Sequence, residues 1–201
     1  ERVMRPMVTY GIDEEADIQA SNLRYEATQS MFDVTIPGHD EAIPFTLNMP
    51  GRHNVLNSLG AMGVALKVGV PIEQMQRALA NFSGVGRRFE VYGELETPKG
   101  RVLLVDDYGH HPKEVAATLS AVKNAWPDRR CVLVFQPHRY SRTHDLFEDF
   151  SMVLSDTDLL LLLEVYAAGE SKIPGADGRS LCRAIRMRGE VDPVFVETPE
   201  D

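Results

Sequence analysis

The 201-residue chain has two cysteines, one tryptophan and no long apolar run, and each shortage closes off a class of protein. Cys131 and Cys182 form no C-x-x-C pair, which argues against a disulfide framework or a cysteine metal site and for reduced thiols in a cytosolic protein. The apolar run Leu159–Leu163 is far short of the roughly 20 residues a membrane span needs. Basic residues are outnumbered 21 to 30, a net charge of -9, so the chain lacks the broad basic face of a general nucleic-acid binder. Neither G-x-x-x-x-G-K-[ST] nor G-x-G-x-x-G occurs, so these residues contain no standard phosphate-cradling loop. The chain opens with Glu1, Arg2 and Arg5, without an initiating Met or an apolar signal region, and is expected to be a fragment of something longer. What remains is an ordinary globular composition, 43% hydrophobic and 25% charged, with room for two small domains.

Period-two patterning runs from Val8 to Asn48. Phe32, Val34 and Ile36 alternate with polar residues, as do Ile43, Phe45 and Leu47, which predicts strands with a turn over Pro37–Asp40. Pro44 demotes its strand to an edge or a bulge. At Met49 the period turns helical: Val55, Leu56, Leu59 and Met62 recur at spacings of three and four, Gly69 is a C-cap, and Pro71 opens a second helix. Gly60 and Gly63 inside the first helix cost it ~1 kcal/mol each relative to alanine, a cost that close helix-to-backbone packing would explain. The stretch Ser83–Glu90, with Gly84 and Gly86 and no apolar period, marks a boundary between domains at 1–90 and 91–201.

Beyond it, Phe89–Glu96 and Arg101–Asp107 flank a hairpin turn. The chain then alternates strands (Val102–Asp106, Cys131–Phe135, Leu159–Leu163, Val194–Val196) with helices (Pro112–Trp126, His144–Leu154, Ser180–Arg188). That order predicts an α/β fold with a parallel sheet covered on both faces, and such sheets bind ligands beyond the carboxyl ends of their strands. The loops there are Asp106–His111, Gln136–Arg142 and Glu164–Lys172, and the first two should leave neighbouring strands.

These loops hold the residues suited to chemistry. Of Asp106 and Asp107, either one caps the next helix while the other is solvated, or one holds a ribose hydroxyl or a cation. His110, His111 and His138 have no metal-ligand spacing, and neighbours on an extended loop point apart, so no metal site is expected. One histidine should be structural and another should meet substrate. His39 is a turn residue. Arg139 and Arg142, three apart beside His138, form a cationic rim suited to a carboxylate or phosphate. Arg87 and Arg88 either reach a phosphate or sit on the surface. His53, Asn54 and Asn57 open the long helix, with Asn54 either an N-cap or an amide available to a base edge.

Four motifs together, G-R-H-N-V-L-N (Gly51–Asn57), G-V-G-R-R-F-E (Gly84–Glu90), D-D-Y-G-H-H-P (Asp106–Pro112) and Q-P-H-R-Y-S-R-T (Gln136–Thr143), resemble the Mur ligases across essentially all 201 residues. The last looks like the branch that adds alanine. The resemblance implies that 1–90 is the end of a central ATPase domain, a mixed strand and helix remnant whose P-loop and main Mg2+ ligands lie upstream. Residues 91–201 would be most of a Rossmann-like domain that presents the amino acid. It implies ATP-dependent amide formation between UDP-N-acetylmuramate and L-alanine through an acyl phosphate, in cytoplasmic peptidoglycan synthesis. Asn54 and Asn57 would border the nucleotide, Arg88 would bridge phosphates and act in catalysis, and Asp107 would meet the ribose. Tyr108, His110, His138, Arg139 and Arg142 would line the alanine pocket, with His110 also catalytic. The chain alone is then expected to be inactive. The competing readings are a non-catalytic Rossmann-type domain binding a nucleotide or amino acid and, more distantly, a metal hydrolase.

Overall fold

The computed structural model describes residues 7–26, 28–82 and 84–198, so Glu1, Arg2, Arg5 and Ser83 of the readings above lie outside the described residues. The backbone groups into two compact units, Glu1–Tyr108 and Gly109–Asp201; the boundary read after residue 90 falls inside the first.

In the first unit β1 (Tyr10–Ile12), β2 (Ile18–Glu26), β3 (Gln29–Thr35) and β4 (Ile43–Leu47) form one sheet in chain order. β1 is parallel to β2 and the others pair antiparallel. Alternation makes its inner face: Ser30, Phe32 and Val34 of β3 are buried beside Phe45 and Leu47 of β4. β4 lies at the edge, where Pro44 is tolerated. Helices α1 (Arg52–Lys67) and α2 (Ile72–Ala80) add Val55, Leu59, Met62 and Met75 to that core.

α1 ends as its glycine predicts. Gly69, at φ +79°, donates to Leu66 O at 3.1 Å while Val70 N reaches Ala65 O at 2.9 Å, the paired bonds of a Schellman motif. Its start corrects the reading of Asn54 as N-cap. Gly51 occupies that position at φ +100°, a conformation glycine takes without penalty, and Asn54 sits inside the first turn with its amide donating to Pro50 O at 2.7 Å. Gly60 and Gly63 also find their reason. A Cβ on Gly60 would lie 3.4 Å from the Tyr10 ring, and one on Gly63 would lie 3.3 Å from Ile18 Cδ1. The close approach is therefore to side chains of β1 and β2 rather than to backbone.

β5 (Glu90–Thr97) and β6 (Gly100–Asp106) form a separate antiparallel hairpin with a bulge between Val91 and Gly93. This corrects the placement of Val102–Asp106 in the parallel sheet. The two-residue turn Pro98-Lys99 returns β6 directly onto β5, and that local pairing takes up the strand. The two polar loops consequently do not leave adjacent strands of one sheet.

The second unit carries the parallel sheet: β7 (Val132–Phe135), β8 (Leu159–Leu163) and β9 (Val194–Val196), in that order. Phe135, Leu160 and Leu162 face α3 (Pro112–Ala125), α5 (Phe147–Leu154) and α6 (Gly178–Arg188), packing with Val115, Leu119, Phe150, Leu154, Leu181 and Ile185. The expectation of helices on both faces is not met among the described residues. Val134 on the opposite face is 61% exposed, while α3, α5 and α6 all pack on the side of Phe135, Leu160 and Leu162. A second difference lies after β7. Helix begins at Tyr140, not His144, as α4 (Tyr140–Asp145), and breaks at Leu146 before α5. Buried Tyr140 and Thr143, three apart, supply an inward face that the polar stretch conceals. No helix among the described residues is long and apolar enough to cross a membrane.

Candidate functional site

In the second unit the ladder of β7 and β8 continues past the strand ends into two polar loops. Tyr166 N donates to Pro137 O at 2.8 Å and Arg139 N to Tyr166 O at 2.9 Å, with His138 and Tyr166 bridged in parallel register. These bonds put side chains at the carboxyl edge of the sheet, where parallel α/β sheets receive ligands. The His138 ring stacks on Tyr166 with centroids 5.5 Å apart, and the His110 ring meets it edge-on at 6.0 Å.

Arg139 adopts φ +75°, a conformation a non-glycine residue holds only at a cost of about 1–3 kcal/mol. The surrounding bonds enforce it: its N–H is held by Tyr166, and its carbonyl accepts from Thr143 N at 3.1 Å and Thr143 Oγ1 at 2.9 Å. The side chain of Arg139 is thereby left exposed. Arg142 turns back, donating from Nη1 to His138 O at 3.1 Å. Burial lowers the His138 pKa, and the neighbouring Arg142, Arg139 and His110 lower it further against the opposing pull of Glu170. Burial and the guanidinium groups thus favour the neutral imidazole, whose Nδ1 lies 3.4 Å from Arg142 Nη1, so the local cationic charge is carried by the two arginines.

Glu170 supplies the local negative charge. Its Oε2 accepts from Ser141 N at 2.9 Å and its Oε1 from Ser141 Oγ at 2.7 Å. Those two bonds, the backbone one first, lower its pKa. His111 is structural: as N-cap of α3 its Nδ1 accepts from Lys113 N at 3.2 Å, while Glu114 Oε2 accepts from the N–H of His110 and of His111, both at 3.0 Å. This capping box replaces the expectation that Asp106 or Asp107 caps the helix; His111 is the residue immediately before α3 and fills the position. Burial raises the Glu114 pKa, and the bonds from His110 and His111 more than reverse it.

The first unit holds the other polar cluster. Asp107 Oδ2 accepts from Phe89 N at 2.9 Å, Asp106 Oδ2 meets Arg87 Nε at 3.3 Å, and Tyr108 N donates to Arg87 O at 2.6 Å. The Arg87 guanidinium lies 5.3 Å over the Tyr108 ring. These contacts pin the Gly86–Phe89 loop to the end of β6, with Arg87 and Phe89 at positive φ. His53, at the start of α1, has its pKa lowered by burial and raised in part by the Asp107 carboxylate. A cleft of about 310 Å³ opens between Asn48–Pro50 and Gly84–Val91, lined by Arg88 and Phe89. No carboxylate among the described residues pairs with Arg88.

Asn54, Asn57, Arg88, Asp107 and Tyr108 thus lie in the first unit, and His110, His138, Arg139 and Arg142 in the second. His110, His138 and Arg142 come together; Asn57 stands exposed a turn beyond Asn54 on α1. Tyr166, Ser141 and Glu170 escaped residue-level reading. The Glu164–Lys172 loop stood out by its position, but the Glu170 contact spans 29 residues and leaves no local pattern. Among the described residues no group of three or more His, Cys, Asp or Glu could hold a metal.

Two family models match the chain: Mur ligase middle domain over residues 1–65, and Mur ligase, glutamate ligase domain, over residues 87–201. The chain is 57% identical, over 100% of its own length and 42% of the other's, to a UDP-N-acetylmuramate–L-alanine ligase of Methylococcus capsulatus. A protein of the same name from Chromobacterium violaceum is also 57% identical, over 100% of the chain and 44% of that protein. Among solved structures, the UDP-N-acetylmuramate-alanine ligase of Thermotoga maritima superposes with a TM-score of 0.76 at 26% identity, over 95% of this chain and 39% of that one. The chain spans less than half the length of these relatives.

Proposed function

The chain belongs to the Mur ligase family, and from that premise we propose that it forms part of an ATP-dependent ligase joining L-alanine to UDP-N-acetylmuramate in cytoplasmic peptidoglycan synthesis. In this reading residues 1–90 end the central ATP-binding domain and 91–201 form most of the amino-acid-presenting domain. The observation that carries it is the 57% identity, across the whole chain, to two ligases of that name.

The donor set decides what these residues can hold. Arg88, which no carboxylate among the described residues pairs with, lines a cleft and fits a phosphate rather than a cation, so it is not a Mg2+ ligand. Bound ATP supplies the phosphoryl group that activates the sugar's carboxylate. This chain's residues bind and orient: Asn54 and Asn57 border the nucleotide, Asp107 meets its ribose, and Arg88 spans its phosphates. In the second unit Arg139 takes the alanine carboxylate, with Arg142 and His138 as neighbouring walls. His110 faces the amine and accepts its proton. Holding a small zwitterion in one orientation supplies much of what amide formation needs, because the reacting amine then attacks as part of one assembled complex.

The test is phosphate release by the full-length ligase, followed as alanine is varied. Arg139→Ala should weaken alanine use by ~2 kcal/mol, about 30-fold, the low end of the range for truncating one partner of a charge pair since Arg139 is exposed. An unchanged alanine dependence would remove Arg139 from this role. Absence of any alanine-dependent turnover in the wild-type enzyme would refute the function itself. The 201-residue chain alone should hydrolyse no ATP, because it lacks a phosphate-cradling loop.

A further inference from the structure

α4 is a helix of six residues without a cap of its own. Its N-cap residue, Arg139, makes no side-chain capping bond, so the first-turn N–H groups need an acceptor from elsewhere. The acceptor is Glu170, from the loop after β8. Its two carboxylate oxygens are divided between Ser141 N, at 2.9 Å, and Ser141 Oγ, at 2.7 Å. A carboxylate suits this place, since it brings negative charge to a helix start and forms charge-assisted bonds. Ser141 lies between Arg139, whose positive φ aims its side chain outward, and Arg142, whose guanidinium holds His138 O. A shift of the first turn of α4 would therefore move both arginines at once.

We propose that Glu170 is the positioning residue of the amino-acid pocket: by anchoring Ser141 it sets the start of α4 and with it the aim of Arg139 and Arg142 at the substrate carboxylate. The proposal rests on the alanine-ligase reading for the identity of the substrate, but the anchoring itself does not. Glu170 touches no reacting atom in this scheme. It also places one negative charge next to the cationic rim, which keeps the rim from being a general anion trap.

The experiment compares Glu170→Gln and Ser141→Ala with the wild-type full-length enzyme by two readouts. Hydrogen–deuterium exchange of the segment 139–146 needs no substrate, and both variants should lose protection there while α3 and α6 keep theirs. Steady-state kinetics should then show the alanine KM rising about tenfold in Glu170→Gln and less in Ser141→Ala, with the ATP KM unchanged. Unchanged protection of 139–146 overturns the anchoring. Lost protection with an unchanged alanine KM overturns the positioning role, and so does a parallel rise in the KM for alanine and ATP, which would mark a general structural loss. Should the wild-type enzyme prove indifferent to alanine, the ligase reading fails, and the exchange result still decides the anchoring.

Discussion

Gly178→Ala should destabilise the second unit by about 2–3 kcal/mol, a loss that follows from the space around one hydrogen atom. Gly178 opens α6 over the end of β8, and a Cβ there would lie 2.7 Å from Leu163 O, 2.9 Å from Phe195 Cε2 and 3.2 Å from Glu164 Cα. Two of these are backbone atoms, one in the last residue of β8 and one in the residue after it, which cannot swing aside as a side chain could. To reach ordinary contact at about 3.4 Å the helix start must retreat by about 0.7 Å. That retreat stretches the bond from Gly178 N to Glu164 Oε1, now 3.0 Å, beyond useful length. Overpacking of this kind costs ~1–3 kcal/mol and a hydrogen bond to a carboxylate ~1.5–3, against less than ~1 gained from alanine's helix propensity. The single tryptophan, Trp126, sits at the end of α3 in the same unit, so urea unfolding followed by its fluorescence reads the loss directly. A loss below ~0.5 kcal/mol would show that α6 slides freely over β8 and that the tight contact carries no energy.

The same substitution at Gly60 should have the opposite sign. The new methyl would meet only the half-exposed Tyr10 ring, which can turn away, so the chain should gain up to ~1 kcal/mol by thermal unfolding under circular dichroism. His111→Ala should cost ~1 kcal/mol by removing the acceptor of the α3 capping box, with His111→Asn recovering most of it in the same urea assay. Burial raises the Asp177 pKa, but bonds from Ser180, at 2.7 Å from its backbone N–H, bring it below the usual carboxylate value. The unfolded chain then binds this proton more tightly than the folded one, so the stabilisation is full above about pH 4 and is lost as pH falls further; Asp177→Asn, which keeps the cap, should flatten that acid limb of the urea midpoint.

Several elements were legible because their cause is local. The alternation of Phe32 and Val34, the turn at Pro98-Lys99, the runs Leu159–Leu163 and Val194–Val196, and the glycine ending α1 each depend on neighbours within a few residues, and each lies where its pattern predicts. The motif Gln136–Thr143 was legible as a cationic loop but not as the start of a helix, because its inward residues, Tyr140 and Thr143, are polar by type and buried only by what packs over them. The strand Val102–Asp106 has the same apolar character whether it joins a parallel sheet or folds back on its hairpin partner. Composition cannot distinguish those pairings.

Taken alone, the sequence determined the order and kind of the elements, the family they belong to, and the residue types available for binding: arginines and histidines at strand ends, asparagines at a helix start. Tertiary structure alone decided which of them act together. Glu170 reaches Ser141 across 29 residues, His138 stacks on Tyr166, and His111 rather than either aspartate caps α3. It also decided the fate of the glycines, since a hydrogen at Gly178 and a hydrogen at Gly60 are identical in sequence terms and differ only in what lies opposite. The reason is one of range: propensity and period are set within a turn or a strand pair, whereas a hydrogen-bond acceptor or a missing methyl's space is set by chain segments that meet only after folding.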